Sequence, residues 1–107
     1  MSISTLNLPI DIAEYGFWHK LVALPFVEAV YLFGSRARGD ARPKSDIDLA
    51  INCPSASFQQ WQKVLDIVEE ADTLLGIDVV RYDHLGDCAF RHKIDQNKVV
   101  VYENRNA

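Results

Sequence analysis

The segment from Gly34 to Leu49 reads GSRARGDARPKSDIDL and combines a Gly-Ser turn, several basic side chains and two carboxylates one residue apart. Side chains alternate between the two faces of a strand, so we expect Asp46 and Asp48 to project from one side and Ile47 and Leu49 from the other. The two acids then share a solvated face, where their mutual repulsion favours a cation between them. Their hard oxygens suit Mg²⁺, which fills its other positions with water and phosphate oxygens. Taken alone, the D-x-D spacing also fits a solvated strand edge beside a turn.

The turn that precedes these acids has the composition of an anion-binding site. Residues 30–33, VYLF, predict a buried strand that ends at Gly34. Gly34 allows the backbone to approach a ligand closely, and Ser35 offers an amide and a hydroxyl at a predicted helix N-terminus. The following loop carries one acid, Asp40, and four basic side chains, Arg36, Arg38, Arg42 and Lys44, and is net +3 in a chain of net charge −4. This local reversal of charge favours an anion-binding surface, although many basic loops are simply solvated.

A third acid lies in a second strand-like run, GIDVVRY, at residues 76–82. Asp78 is flanked there by Ile77 and Val79, and an unpaired carboxylate is costly if it is buried among such neighbours. The context therefore favours a cation beside Asp78. Asp83 and Asp87 follow in a turn-like sequence and are assigned capping or turn roles.

The complete pattern, G-S-x-A-R-G followed by a short loop and S-D-I-D-L, resembles the nucleotidyltransferase superfamily related to DNA polymerase β. Within it, the chain is most similar to the small stand-alone members called minimal nucleotidyltransferases, or MNT proteins. The fixed positions of that signature are all present: Gly34, Ser35, Ala37, Arg38, Gly39, Ser45, Asp46, Asp48 and Leu49. The resemblance is strong in this motif, extends from Val30 to Tyr102, and is weak beyond Asp83.

The resemblance implies the roles of the site residues. Gly34 and Ser35 would hold the β- and γ-phosphates of ATP, with Arg36, Arg38 and Lys44 as weaker candidates, since the family's arginine can equally brace the loop. Asp46 and Asp48 would bind two Mg²⁺ ions. Asp78 would be the third ligand, on the side of the attacking hydroxyl, and could accept its proton. Two-metal chemistry of this kind activates the nucleophile and stabilises the departing pyrophosphate.

The resemblance also implies a partner. MNT proteins are typically encoded beside a helical protein of the HEPN class, in toxin–antitoxin modules in which the MNT protein adenylylates the toxin, often on a tyrosine. We therefore expect an ATP-using, Mg²⁺-dependent protein adenylyltransferase and antitoxin that forms a hetero-oligomer with a HEPN-type toxin. Two alternatives remain open: transfer to a small molecule such as an antibiotic, with a separate acceptor-binding subunit, or a non-catalytic antitoxin that neutralises its toxin by occlusion. DNA is disfavoured as a partner because the chain is small and acidic.

Length and composition predict one domain. The chain has 107 residues, of which 49% are apolar, which is enough for a single core. No apolar stretch approaches a membrane span, and the N-terminus lacks the pattern of a signal peptide, so we expect a cytoplasmic protein. Cys53 and Cys88 lack metal-ligand spacing and are interpreted as packing residues. His19, His84 and His92 are scattered, which makes a zinc site improbable and favours surface or capping roles.

The remaining segments predict an α/β (α+β) scaffold, a small mixed sheet with flanking helices, as in the polymerase β-like nucleotidyltransferase fold. Helices are expected over residues 11–23 and 86–96, and from a capping box at Ser57 to a stop at Gly76. Residues 99–102, VVVY, predict a final strand, and the tail 104–107 is expected to fray. The aromatic residues of the central helix, Phe58 and Trp61, are assigned to the core. An apolar surface formed by Phe17, Trp18 or Phe90 is considered for a partner.

Overall fold

A computed structural model describes residues 3–5, 15–42 and 44–104, with the backbone alone described for residues 3–5. In these residues the elements follow one another along the chain as β1 (Ile3–Thr5), α1 (Gly16–Val22), β2 (Ala29–Phe33), α2 (Gly34–Arg38), β3 (Ile47–Asn52), α3 (Phe58–Glu69), β4 (Ile77–Arg81), a 3₁₀ turn (Tyr82–His84), α4 (Ala89–Asn97) and β5 (Val99–Asn104). No helix among the described residues is long and apolar enough to cross a membrane.

The described strands form one mixed sheet in the order β1-β5-β2-β3-β4. Strand β3 runs parallel to β4 and antiparallel to β2, and β5 is antiparallel to both β1 and β2. A parallel pair needs a crossover connection, and α3 supplies it between β3 and β4. The predicted class, a small mixed sheet with flanking helices, is confirmed.

Apolar residues pack on both faces of this sheet. The larger cluster joins α1 and α3 to one face, through buried residues such as Trp18, Leu49 and Val64. The smaller cluster lies on the other face, where Ile94 of α4 packs with Ala50 of β3 and with Tyr82. Because Leu49 and Ala50 are consecutive in β3, they mark its two faces. The sheet is therefore covered by α1 and α3 on one side and by α4 on the other.

Several elements agree with the sequence-based expectation. The strand ending at Gly34 and the strand beginning after Asp46 are present, as is the final strand, which reaches Asn104. The capping box is confirmed: the Ser57 hydroxyl accepts a hydrogen bond from the Gln60 N–H at 3.1 Å, and the Gln60 side chain accepts one from the Ser57 N–H at 2.8 Å. The predicted helix over 86–96 begins later, at Ala89. Of the helix predicted over 11–23, the part at 11–14 lies outside the described residues, as do residues 105–107 of the predicted tail. Asn104, the first residue of that tail, does not fray, because it is paired in β5 and its N–H donates to the Glu28 carbonyl at 2.9 Å.

The predicted end of the central helix was wrong. Helix α3 ends at Glu69, and the following residues form a turn in which the Thr73 hydroxyl accepts a hydrogen bond from the Leu75 N–H. The Asp72 carboxylate accepts another from the N–H of Gly16, at the start of α1. Side-chain-to-backbone bonds of this kind compete with helical bonds and favour turns.

Two expectations about aromatic residues were also wrong. Phe58, assigned to the core, is 79% exposed, because it occupies the first position of α3 outside the packed face. Phe17 and Trp18, considered for a partner surface, are each 2% exposed and belong to the core. Phe90 is 44% exposed and remains accessible.

Candidate active site

Asp46 and Asp48 stand at the beginning of β3, and strand geometry separates them from their apolar neighbours. Ile47 and Leu49 are both fully buried, in the cluster beneath α1 and α3. Asp46 is exposed and Asp48 is half-buried. The expected division of this segment into a core face and an acidic face is therefore confirmed.

Asp78 lies beside Asp48 in the sheet. The parallel register of β3 and β4 pairs Asp48 with Asp78 directly, and the charge of Asp78 raises the pKa of Asp48. Asp78 itself is exposed, since β4 is the outermost strand of the described sheet. The costly case of a buried, unpaired carboxylate therefore does not arise at Asp78, and Asp48 is the less exposed member of the pair. Asp48 thus lies beside Asp78 and within the electrostatic influence of Asp46, while a joint role of the three acids stays a prediction.

The electrostatics of this edge are visible in the pKa of Asp48. Burial raises it, and the neighbouring charge of Asp78, their shared hydrogen bond and the charge of Asp46 raise it further, to about 6. The guanidinium of Arg38 acts in the opposite direction. Asp48 therefore retains its proton to a higher pH than an ordinary aspartate, as carboxylates in close mutual contact do.

Gly34 forms the floor beneath Asp48. Its φ of 73° is in the left-handed region, and a Cβ added there would stand only 2.1 Å from Oδ2 of Asp48. Gly76 has the same relation to Asp46, since its Cβ would stand 2.5 Å from Oδ1. The Gly76 carbonyl also accepts a hydrogen bond from the Ile47 N–H at 2.8 Å. Both acids thus lie directly on glycine backbone, and this role of Gly76 was missed by sequence reasoning, which treated it as a helix stop.

Ser35 and the basic residues line the loop beside the acids. Ser35 is the second residue of the short helix α2, and its carbonyl accepts hydrogen bonds from the N–H groups of Gly39 and Asp40. Arg36 donates to the Ser45 carbonyl at 2.8 Å, a contact that braces the loop. Arg38 donates to Asp40 at 3.3 Å.

The same loop leaves Lys44 exposed. The Ser45 hydroxyl accepts a hydrogen bond from the Arg42 N–H at 2.9 Å, which closes the turn before Asp46. Of the predicted basic residues, the structure therefore brings Arg38 into electrostatic contact with the acids, while Arg36 serves the loop. Binding of phosphate by these side chains stays a prediction.

A cavity of about 340 Å³ opens beside Gly34. Its walls come from Phe33, Gly34 and Arg38 on one side and from α4 on the other, with Phe90, Lys93 and Asn97 among the α4 residues. Phe33 and Phe90 contact each other edge to face, with ring centroids 6.0 Å apart. Because Phe33 pairs with Asp48 across β2 and β3, the cavity borders the acidic edge. No short-range pattern predicted this cavity, since Phe33 and Phe90 are far apart in the chain.

The chemistry of the donor set fits a hard divalent cation. Asp46, Asp48 and Asp78 offer carboxylate oxygens, the ligand type that Mg²⁺ prefers. The glycine floor leaves space in which Asp46 and Asp48 stand close to backbone without steric conflict. Within residues 15–42 and 44–104, however, no group of three Asp, Glu, His or Cys side chains is placed so that it could hold one metal ion. The metal-binding role of these acids therefore stays a prediction.

The fold and the family comparison define the class of protein as a nucleotidyltransferase. Residues 19–107 match the family model described as "Polymerase beta, Nucleotidyltransferase", and the chain belongs to that family. It is also similar to "Putative protein adenylyltransferase MJ1379" of Methanocaldococcus jannaschii, with 32% identity over 53 residues. That match covers 50% of this chain and 53% of the relative, so it spans about half the length of each.

Solved structures share the fold. A toxin–antitoxin complex crystallised with AMP-PNP superposes with a TM-score of 0.57 at 20% identity, covering 84% of this chain and 73% of that one. A mutant of the toxin–antitoxin MntA-HpeT superposes with a TM-score of 0.53 at 16% identity, covering 83% and 72% respectively. At these identities the likeness establishes the fold alone.

Proposed function

We propose that this protein transfers AMP from ATP to a hydroxyl group of a protein, in a Mg²⁺-dependent reaction, and acts as the antitoxin of a HEPN-type toxin that is both partner and acceptor. The observation that carries the proposal is the pairing of Asp48 with Asp78 on adjacent strands, with Asp48 lying directly over the backbone of Gly34. The name of the M. jannaschii relative supports adenylyl transfer, and the toxin–antitoxin neighbours support the type of partner.

The reaction is an in-line displacement at the α-phosphorus of ATP. The acceptor oxygen forms a bond to phosphorus, the bond to the bridging oxygen of pyrophosphate breaks, and the hydroxyl proton passes to a carboxylate. Bound Mg²⁺ would supply charge neutralisation and a lowered pKa of the attacking hydroxyl. Asp46 and Asp48 would hold both ions, and Asp78 the ion nearest the acceptor.

The exposure of Asp78 suits this last role. Because it lies on the outermost described strand, an acceptor side chain can approach it from solvent, whereas Asp48 is half-buried. We therefore propose that Asp78 accepts the proton of the attacking hydroxyl. Gly34 and Ser35 would hold the β- and γ-phosphates, and Arg38 would balance negative charge beside Asp48.

Mass measurement of the acceptor tests the proposal. The protein is incubated with ATP, Mg²⁺ and the product of the adjacent gene, and a gain of one or more adenylyl groups on that product is expected. Asp46→Asn should abolish the gain, while Asp66→Asn, a matched change on the exposed face of α3, should leave it intact. Full transfer by Asp46→Asn would refute the site.

The same experiment separates the alternatives. Toxin neutralised without any mass gain, by the wild type and by Asp46→Asn alike, would establish occlusion in place of catalysis. Adenylylation of a small molecule, with the protein unmodified, would assign a different acceptor to the same donor site.

A further inference from the structure

The cavity between α2 and α4 differs chemically from the acidic edge that it borders. Its described lining contains the cations Arg38 and Lys93 and no acidic side chain, in a chain of net charge −4. The buried Ile94 also lines it, and Asn97 adds an amide. A lining of apolar side chains with two cations and an amide is the composition of a small-molecule site for an anionic ligand.

The aromatic contact in the cavity gives it a surface for stacking. Phe90 meets Phe33 edge to face with an interplanar angle of 79°, which leaves the Phe90 side chain partly open. A planar heterocycle gains affinity by lying against such a ring, and it does so for any base because every base has a π-face. The volume of about 340 Å³ is within the range of small-molecule sites.

The wall formed by α4 is fixed in place by a polar network behind it. Tyr82 donates to Asp95 at 2.7 Å, and the Lys98 ammonium donates to Asp95 at 2.9 Å and to the Tyr82 hydroxyl at 3.1 Å. The same ammonium lies 4.6 Å from the centre of the Tyr31 ring, on β2. These contacts tie the end of α4 to the sheet, so the cavity is formed before any ligand arrives.

We propose that this cavity is the subsite for the base and ribose of the donor nucleotide, with the base stacked on Phe90 and the phosphates directed past Gly34 toward Asp48. The inference rests on the proposed function, since it assigns a place to the nucleoside part of that donor. Gly34 belongs both to the cavity lining and to the floor beneath Asp48, so one extended ligand reaches both. Lys93 and Arg38 add positive charge along that path.

Binding measurements with a donor that cannot react test the inference. Isothermal titration calorimetry in excess Mg²⁺ compares α,β-methylene-ATP with inorganic tripolyphosphate, on the wild type, Phe90→Ala, Phe90→Tyr and Phe58→Ala. Phe58→Ala is the matched control, because it removes another exposed phenylalanine from α3, across the sheet. Circular dichroism verifies that each variant is folded.

The expected pattern is specific to the base. Phe90→Ala should weaken the binding of α,β-methylene-ATP by about tenfold or more, because it removes one base–aromatic stack. Tripolyphosphate affinity should not change, and Phe90→Tyr should retain the wild-type affinity for both ligands. Phe58→Ala should match the wild type throughout.

Other outcomes overturn the inference in recognisable ways. An unchanged affinity of Phe90→Ala for α,β-methylene-ATP would show that the base binds elsewhere. A higher KM of that variant for the protein acceptor would show that the cavity binds the acceptor. Equal weakening of both ligands would indicate a general disturbance of the site. If the wild type binds neither ligand, the proposed function fails together with this subsite, whereas the first three results leave the donor site standing.

Discussion

The contact between Gly34 and Asp48 permits a prediction whose size follows from the geometry. An alanine at position 34 has two costs. Its φ of 73° is in the left-handed region, which costs a residue with a Cβ about 1–2 kcal/mol. The new Cβ would also stand 2.1 Å from Oδ2 of Asp48, although real Cβ contacts essentially never fall below 3.0 Å, so the carboxylate must move by about 0.9 Å.

A displacement of this size matters more for catalysis than for folding. A misplacement of about 1 Å can reduce a rate about 100-fold, which corresponds to about 2.7 kcal/mol in the activation barrier. We therefore expect Gly34→Ala to lower the rate of adenylyl transfer about 100-fold. Its free energy of unfolding, measured in urea, should fall by about 1–2 kcal/mol from the backbone term, with a further loss if the contact strains β3.

Gly86→Ala is the matched control for the backbone term. Gly86 has a φ of 64°, and a Cβ there would meet nothing within 4 Å. It should lose a similar amount of stability and keep the wild-type rate of transfer. Equal loss of rate in the two variants, or an unchanged rate in Gly34→Ala, would refute the argument that the Gly34 contact positions Asp48.

Two further predictions concern charge. Asp78→Asn should lower the pKa of Asp48 from about 6 toward its ordinary value, measured by NMR of the carboxyl carbon, since the neighbouring charge is removed. Because the folded-state pKa of Asp48 is raised above its unfolded value of 3.8, the wild type loses stability as the pH rises toward about 6. The stability gained by Asp78→Asn should thus be present above pH 6 and vanish below the unfolded value; a gain that grows in acid would contradict this. Arg81→Met should cost about 3–5 kcal/mol in urea unfolding, because it leaves the carboxylate of Asp83 half-buried without its cation. Arg42→Met, at an exposed loop position, should cost less than about 1 kcal/mol, and equal losses in these two arginine variants would contradict the prediction.

The prediction for Arg81 depends on contacts between Arg81, Asp83 and the backbone after β3 that were not predicted from the sequence. Asp83 was assigned a turn or capping role, but its carboxylate accepts hydrogen bonds from the Cys53 N–H at 2.9 Å and from Arg81 at 3.0 Å. Burial raises the pKa of Asp83, and these bonds outweigh it, so the net pKa is lowered. Arg81 also donates to the carbonyls of Cys53 and Ala56, joining the ends of β3 and β4.

The parts of the site that could be predicted are those encoded locally. The period of two in DIDLAI places Asp46 and Asp48 opposite Ile47 and Leu49 wherever the strand lies, and Gly34 ends the strand before it. The capping box at Ser57 is equally local, with its partner three residues away.

The parts that could not be predicted depend on contacts between distant residues. The turn after α3 includes a bond between Asp72 and Gly16, which are 56 residues apart. Strand β1 is only 3 residues long and exists through pairing with β5, at the other end of the described chain. The cavity likewise requires α4 to pack across from α2, an arrangement without any short-range signal.

The parallel register of β3 and β4 places Asp78 beside Asp48, so the two acids meet only when these strands pair correctly. Since side chains alternate along a strand, a slip of β4 by one residue would put Ile77 or Val79 opposite Asp48 and turn Asp78 to the far face. A misfolded chain of this kind would keep its strands, its helices and its intact D-x-D motif. It would nevertheless lack the third carboxylate, so we expect loss of transfer to reveal a misplaced crossover that spectroscopic measures of secondary structure would overlook.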